Sequence, residues 1–131
     1  MILPLLSAIF LGWSLGANDA ANLFGSAVSS RMLSFWKAAF IASIFVIIGP
    51  VLQGRAGIQT LQSLTPLNLE LAILTSISAA ITVTLMTLLR LPVSTSQAVV
   101  GAIVGAGLLQ GQLFMSGLLK VGICWVGTPF G

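Results

Sequence analysis

Residues 69–89 read LELAILTSISAAITVTLMTLL, twenty-one positions with a single charge, Glu70, beside the start. A helix rises about 1.5 Å per residue, so about 20 such residues match the roughly 30 Å hydrocarbon core of a bilayer. Working outward, runs of the same kind lie at Met1–Ala17 and Phe35–Leu52, and another extends from about Leu113 to beyond Trp125. Between them sits a shorter run, Ala98–Leu109. Runs of about 10 to 14 apolar residues in such a chain read as re-entrant or broken segments.

Composition agrees with this reading. The 131 residues are 57% hydrophobic and 5% charged, with mean hydropathy +1.13, whereas soluble domains are about a quarter charged. The expected fold class is an all-α, multi-pass integral membrane protein of about four transmembrane helices plus re-entrant or broken helices, forming one membrane domain over residues 1–131. The first run lacks a basic leader region and the chain stays apolar after it, so it reads as mature membrane sequence. The end at Thr128, Pro129, Phe130 and Gly131 follows an apolar run directly and reads as a truncated architecture.

The five basic residues, Arg31, Lys37, Arg55, Arg90 and Lys120, are scattered. Without a cluster to neutralise phosphates, no nucleic-acid partner is expected. Assigning Arg31, Lys37 and Arg90 to connections on one side and Arg55 to the other favours an extracytoplasmic N-terminus. The absence of His and the single Cys124 exclude disulfide frameworks, Cys/His zinc sites and Cys/His nucleophile pairs. One carboxylate inside the membrane offers no acid/base or nucleophilic set, so no enzyme activity and no cofactor are expected.

Two stretches carry polar chemistry inside this apolar frame. The first, GANDAANLFGS at 16–26, sets Asp19 beside Asn18 and Asn22. A charge at bilayer depth costs several kcal/mol and marks a functional position by default. Asp19 and Asn22, three apart, share a helical face, while Gly16 and Gly25 permit the backbone to break and expose carbonyl oxygens. Such hard oxygen donors suit Na⁺ or a transported proton. The competing structural reading has Asp19 capping a helix and the asparagines bridging helices.

The second stretch, LPVSTSQ at 91–97, precedes the glycine-containing apolar run. Proline, then hydroxyls, then a helix is a helix N-terminus pattern. The unpaired N–H groups and positive dipole end there, joined by Ser94, Thr95 and Ser96, suit a tetrahedral oxyanion. An ordinary N-cap at Ser94 is the alternative. The pairs Gly12/Gly16, Gly101/Gly105 and Gly107/Gly111 read as close-packing positions. Thr75, Ser78 and Thr82 share one face of the third helix and read as packing hydroxyls that satisfy their own backbone carbonyls, with lining of a pathway as the alternative.

Together, GANDAANLFGSAVSS and LPVSTSQAVVGAIVG resemble the two signatures of the inorganic phosphate transporter (PiT) family, at similar separation, with a Trp-x-x-Thr-Pro element at Trp125, Thr128 and Pro129. The resemblance covers essentially the whole chain. It implies one half of a transporter built from two inverted-topology repeats, each carrying both motifs. It further implies that Asp19 and Asn22 ligate the coupling cation, a metal ion only if that cation is Na⁺, that Asn18 supports them, and that Ser94, Thr95 and Ser96 contact phosphate. Two positions depart from the pattern. Gln97 stands where many members carry His, which removes a group titrating near neutrality, and Gln59 lies nearest the place of an acidic residue found in some members.

The expected function is cation-coupled symport of inorganic phosphate, with Na⁺ first and H⁺ second, across the cell's inner or plasma membrane. Expected partners are phosphate, the coupling cation, membrane lipid, and a second half-repeat or second copy of the chain. Sulfate or another oxyanion is the alternative within the class. A non-transporting membrane subunit or fragment is the alternative outside it.

Overall fold

The computed structural model describes residues 2–66 and 68–130. Met1, Leu67 and Gly131, which the expected runs or the 1–131 unit include, lie outside the described residues. The architecture is all-helical: α1 (Ile2–Ser29), α2 (Phe35–Gln62), α3 (Leu69–Leu88), α4 (Thr95–Gln110) and α5 (Met115–Gly127), closed by a 3₁₀ turn over Thr128–Phe130. α1, α2 and α3 are long and apolar enough to cross a membrane.

Three expectations about extent change. α1 is unbroken through Gly16 and Gly25, because an uninterrupted helix keeps the backbone polar groups paired in an apolar surrounding. α2 continues past Gln53, Gly54 and Arg55 to Gln62 and holds Pro50 in its interior, a residue membrane helices accommodate. The last run forms a helix of 13 residues rather than a full span.

The best-packed pair is α1 on α3. Asn18 lies against Thr87, near the C-terminal end of α3, and Ser7 and Ser14 are buried further back along α1. Only a parallel alignment brings both serines alongside α3, whose buried face is Leu71, Thr75, Ala79, Ala80 and Val83. Three buried hydroxyls on these faces return their protons to their own helices, Ser7 to Pro4 O, Ser14 to Leu11 O and Thr75 to Leu71 O, as exposed Thr82 does to Ser78 O, whereas the buried Thr84 Oγ1 has no partner among the described residues. Back-bonding of this kind satisfies Ser7, Ser14 and Thr75 without water.

α3 and α4 form a helical hairpin. Its turn is closed by the α3 C-terminus, where Leu91 N donates to Met86 O and Arg90 N to Thr87 O, with Arg90 left-handed at φ 59°. This is the Schellman closure usually built on glycine. α1 runs eleven residues beyond Asn18 to Ser29, about 16 Å of helix, so the hairpin tip meets α1 part-way along its length.

The opposite end is knotted by the connection after α2. Leu64 and Thr65 are fully buried. Phe114 N donates to Leu64 O at 2.8 Å and Thr65 Oγ1 to Gln112 O at 2.5 Å. Leu64 joins Val100, Ile103 and Val121 in an apolar cluster. Gly107 and Gly117 are the glycines this joint requires, since a Cβ on Gly117 would clash with Ser63 O and one on Gly107 would crowd Leu113 and Thr65. Gly111, expected as a packing residue, instead ends α4 at φ 65°. Gly12, Gly16, Gly101 and Gly105 have no neighbour within 4 Å of a built Cβ.

Candidate functional site

The two polar stretches, about seventy positions apart in sequence, meet where the hairpin tip touches α1. Asn18 is 3% exposed, and both ends of its carboxamide are engaged. Nδ2 donates to Val93 O at 2.9 Å and lies 3.3 Å from Asp19 Oδ1, while Oδ1 accepts from Thr87 Oγ1 at 3.3 Å. One side chain thereby ties α1 to the end of α3 and to the backbone just before α4.

Asp19 is half-buried beside it. The Thr95 hydroxyl lies 3.3 Å from Asp19 Oδ1 and 3.4 Å from Oδ2, so the carboxylate faces the first residue of α4. Ser94 adopts an extended conformation at the N-cap, and its Oγ accepts from Gln97 N at 3.4 Å. Ser94 Oγ and Ser96 Oγ lie 3.1 Å apart. Both serines are exposed, which leaves their hydroxyls at an open surface on the tip. The N-cap reading of Ser94 and the clustering of hydroxyls are therefore both present.

The structure thus brings together Asn18, Asp19, Ser94, Thr95 and Ser96. Asn22 is on the same helix one turn on, but it is exposed and has no side-chain hydrogen bond among those of the described residues. Sequence reading missed Thr87 and the Val93 carbonyl. Nothing local marks either one, since Thr87 is one hydroxyl among several on α3 and Val93 acts through its backbone.

Among the described residues no three His, Cys, Asp or Glu side chains come together. The oxygens here are one carboxylate with amide, hydroxyl and backbone partners, a set that suits a weakly bound hard cation rather than a transition metal.

The phosphate transporter family matches residues 15–131 of this chain. Among relatives, a protein of Methanocaldococcus jannaschii is 36% identical over 107 residues, covering 82% of this chain and 34% of its own length. A Chlamydia pneumoniae protein is 31% identical, covering 99% of this chain and 34% of its own. Both carry phosphate-permease names. Inorganic phosphate transporter 2-1, chloroplastic, of Arabidopsis thaliana is 33% identical, covering 95% of this chain and 24% of its own. The chain spans about a third or less of the length of these relatives. No solved structure matches it significantly. An apolar three-span frame, two polar motifs meeting at one point and a match from residue 15 onward make one case: the chain belongs to the phosphate transporter family.

Proposed function

We propose that this chain supplies half of the translocation site of a cation-coupled phosphate symporter, with Na⁺ as the cation and H⁺ as the alternative. Ser94, Ser96 and the first N–H groups of α4 take the phosphate oxygens, and Thr95 stands between them and Asp19. Asp19, supported by Asn18, holds the cation. Asn22 joins that cation shell from the next turn of α1. The other half of the site comes from a second copy of this unit or from a further inverted repeat in the same protein.

The observation that carries the reading is the contact of Thr95 Oγ1 with both Asp19 oxygens. Thr95 Oγ1 is 3.3 Å from Asp19 Oδ1, so an anion oxygen about 2.7 Å from the same hydroxyl would stand within about 6 Å of that carboxylate. At an effective dielectric of about 20, two like unit charges at that distance repel by roughly 3 kcal/mol. A cation on Asp19 removes the repulsion, so anion and cation bind better together than separately. The same geometry accepts sulfate at its hydroxyls, and discrimination falls to a group that accepts the proton of hydrogen phosphate.

The test is uptake of labelled phosphate by proteoliposomes holding the protein, with and without an inward Na⁺ gradient, with excess sulfate as competitor and Asp19→Asn alongside. Expected are Na⁺-stimulated uptake, resistance to sulfate and loss of stimulation in Asp19→Asn. Uptake indifferent to both Na⁺ and pH, or unaltered in Asp19→Asn, would reject cation coupling at Asp19. Uptake blocked by sulfate would reassign the substrate.

A further inference from the structure

Thr87 occupies the last turn of α3, outside both polar motifs. Its hydroxyl lies 2.8 Å from Val83 O and 3.3 Å from Asn18 Oδ1. A threonine hydroxyl has one proton to give. Val83 O is a helix carbonyl whose bonding does not depend on it, whereas among the described residues Thr87 is the one side-chain donor to the Asn18 amide oxygen. That oxygen is buried, and a buried acceptor left unpaired costs more than a hydrogen bond ordinarily contributes.

The opposite end of the same carboxamide has two acceptors, Val93 O and Asp19 Oδ1. Turning the amide over would set its oxygen against both of them. The arrangement is therefore directional: a donor on the α3 side, acceptors on the tip and Asp19 side, and Asn18 between them. We infer that Thr87 is a positioning residue for the Asp19–Thr95 pair. By donating to Asn18 Oδ1 it holds the amide N–H groups toward Asp19 and Val93 O, which fixes the register of the α3–α4 tip against α1. The inference rests on the reading of Asp19 and Thr95 as binding groups, and Thr87 itself touches neither cation nor phosphate.

Two measurements test it. The chain has three asparagines, Asn18, Asn22 and Asn68, so ¹⁵N-asparagine labelling of the protein in detergent gives three side-chain amide pairs, with Asn18 assigned by its loss in Asn18→Ala. In Thr87→Val the Asn18 pair is expected to move and to exchange with solvent about tenfold faster or more, while Thr87→Ser leaves it in place. In proteoliposomes, Thr87→Val is expected to raise the half-saturating phosphate and Na⁺ concentrations about three- to tenfold, with the maximal rate within about twofold, and Thr87→Ser to restore both. Thr87→Ala serves the same purpose if Thr87→Val does not fold.

An Asn18 pair unmoved in Thr87→Val overturns the inference, as does an unchanged half-saturation, or an equal loss in the Ser and Val variants. If the wild-type protein shows no uptake, the functional reading fails by itself, and the amide resonances still decide the role of Thr87.

Discussion

At the scale of single residues, Asn18 and Asn22 look alike in sequence and differ in the fold. Asn18 is buried with partners at both ends of its amide, whereas Asn22 is exposed. Asn18→Ala is expected to lower unfolding stability in detergent by about 1–3 kcal/mol, because Val93 O and Thr87 lose a buried partner. Asn22→Ala is expected to leave stability within about 0.5 kcal/mol while weakening Na⁺ stimulation of uptake. Thermal midpoints and uptake on both variants would separate a strut from a ligand, and equal destabilisation would contradict the difference in burial. For Thr95, Thr95→Ser is expected to keep uptake and Thr95→Val to reduce it about tenfold or more, since only the serine retains a hydroxyl facing Asp19. Asp19 and the 94–96 hydroxyls were legible because a charge or a run of hydroxyls inside apolar sequence demands explanation. Thr87 and Val93 were not, because their roles come from a contact between positions about seventy residues apart, which no local pattern encodes.

At the scale of elements, α3 and α4 were readable to within a few residues from their apolar runs and their polar boundaries. α1 and α2 were misjudged where glycines and one arginine looked like punctuation. In a bilayer an uninterrupted helix keeps its backbone polar groups paired, so weak breakers such as Gly16 or Gly54 give way to continuity. The joint at Leu64 and Thr65 was invisible in sequence, since a connection enters an interior only through long-range partners. It sets a steric test. Gly117→Ala drives a methyl group into Ser63 O and is expected to cost about 1–3 kcal/mol. Gly101→Ala meets nothing within 4 Å and is expected to be neutral or to stabilise α4 by up to about 1 kcal/mol. Denaturation midpoints of the two variants should therefore move in opposite directions or differ clearly, and a Gly117→Ala protein as stable as wild type would show that the joint opens.

At the scale of the whole molecule, the expected orientation places the α1–α2 connection, with Arg31, and Lys37 in the first turn of α2, on the cytoplasmic side. A cysteine at Ser30, in a Cys124→Ser background, is expected to react with a membrane-impermeant maleimide in inside-out vesicles and not in right-side-out ones. The reverse pattern would invert the topology. Exposed side chains such as Phe45, Ile47 and Leu109 suit lipid and further helices. The unequal reach of α1 and the hairpin has an electrical consequence. α1 is about 42 Å long, and Asp19 lies ten residues, about 15 Å, from its C-terminal end. Centred on a hydrocarbon layer of about 30 Å, this puts Asp19 roughly 9 Å beneath one boundary. A cation seated there from that side traverses roughly a third of the transmembrane voltage, worth about 0.8 kcal/mol per 100 mV. Occupancy of the site would then follow the membrane potential even before any conformational step, and a voltage jump with phosphate absent would produce a small transient current lost in Asp19→Asn.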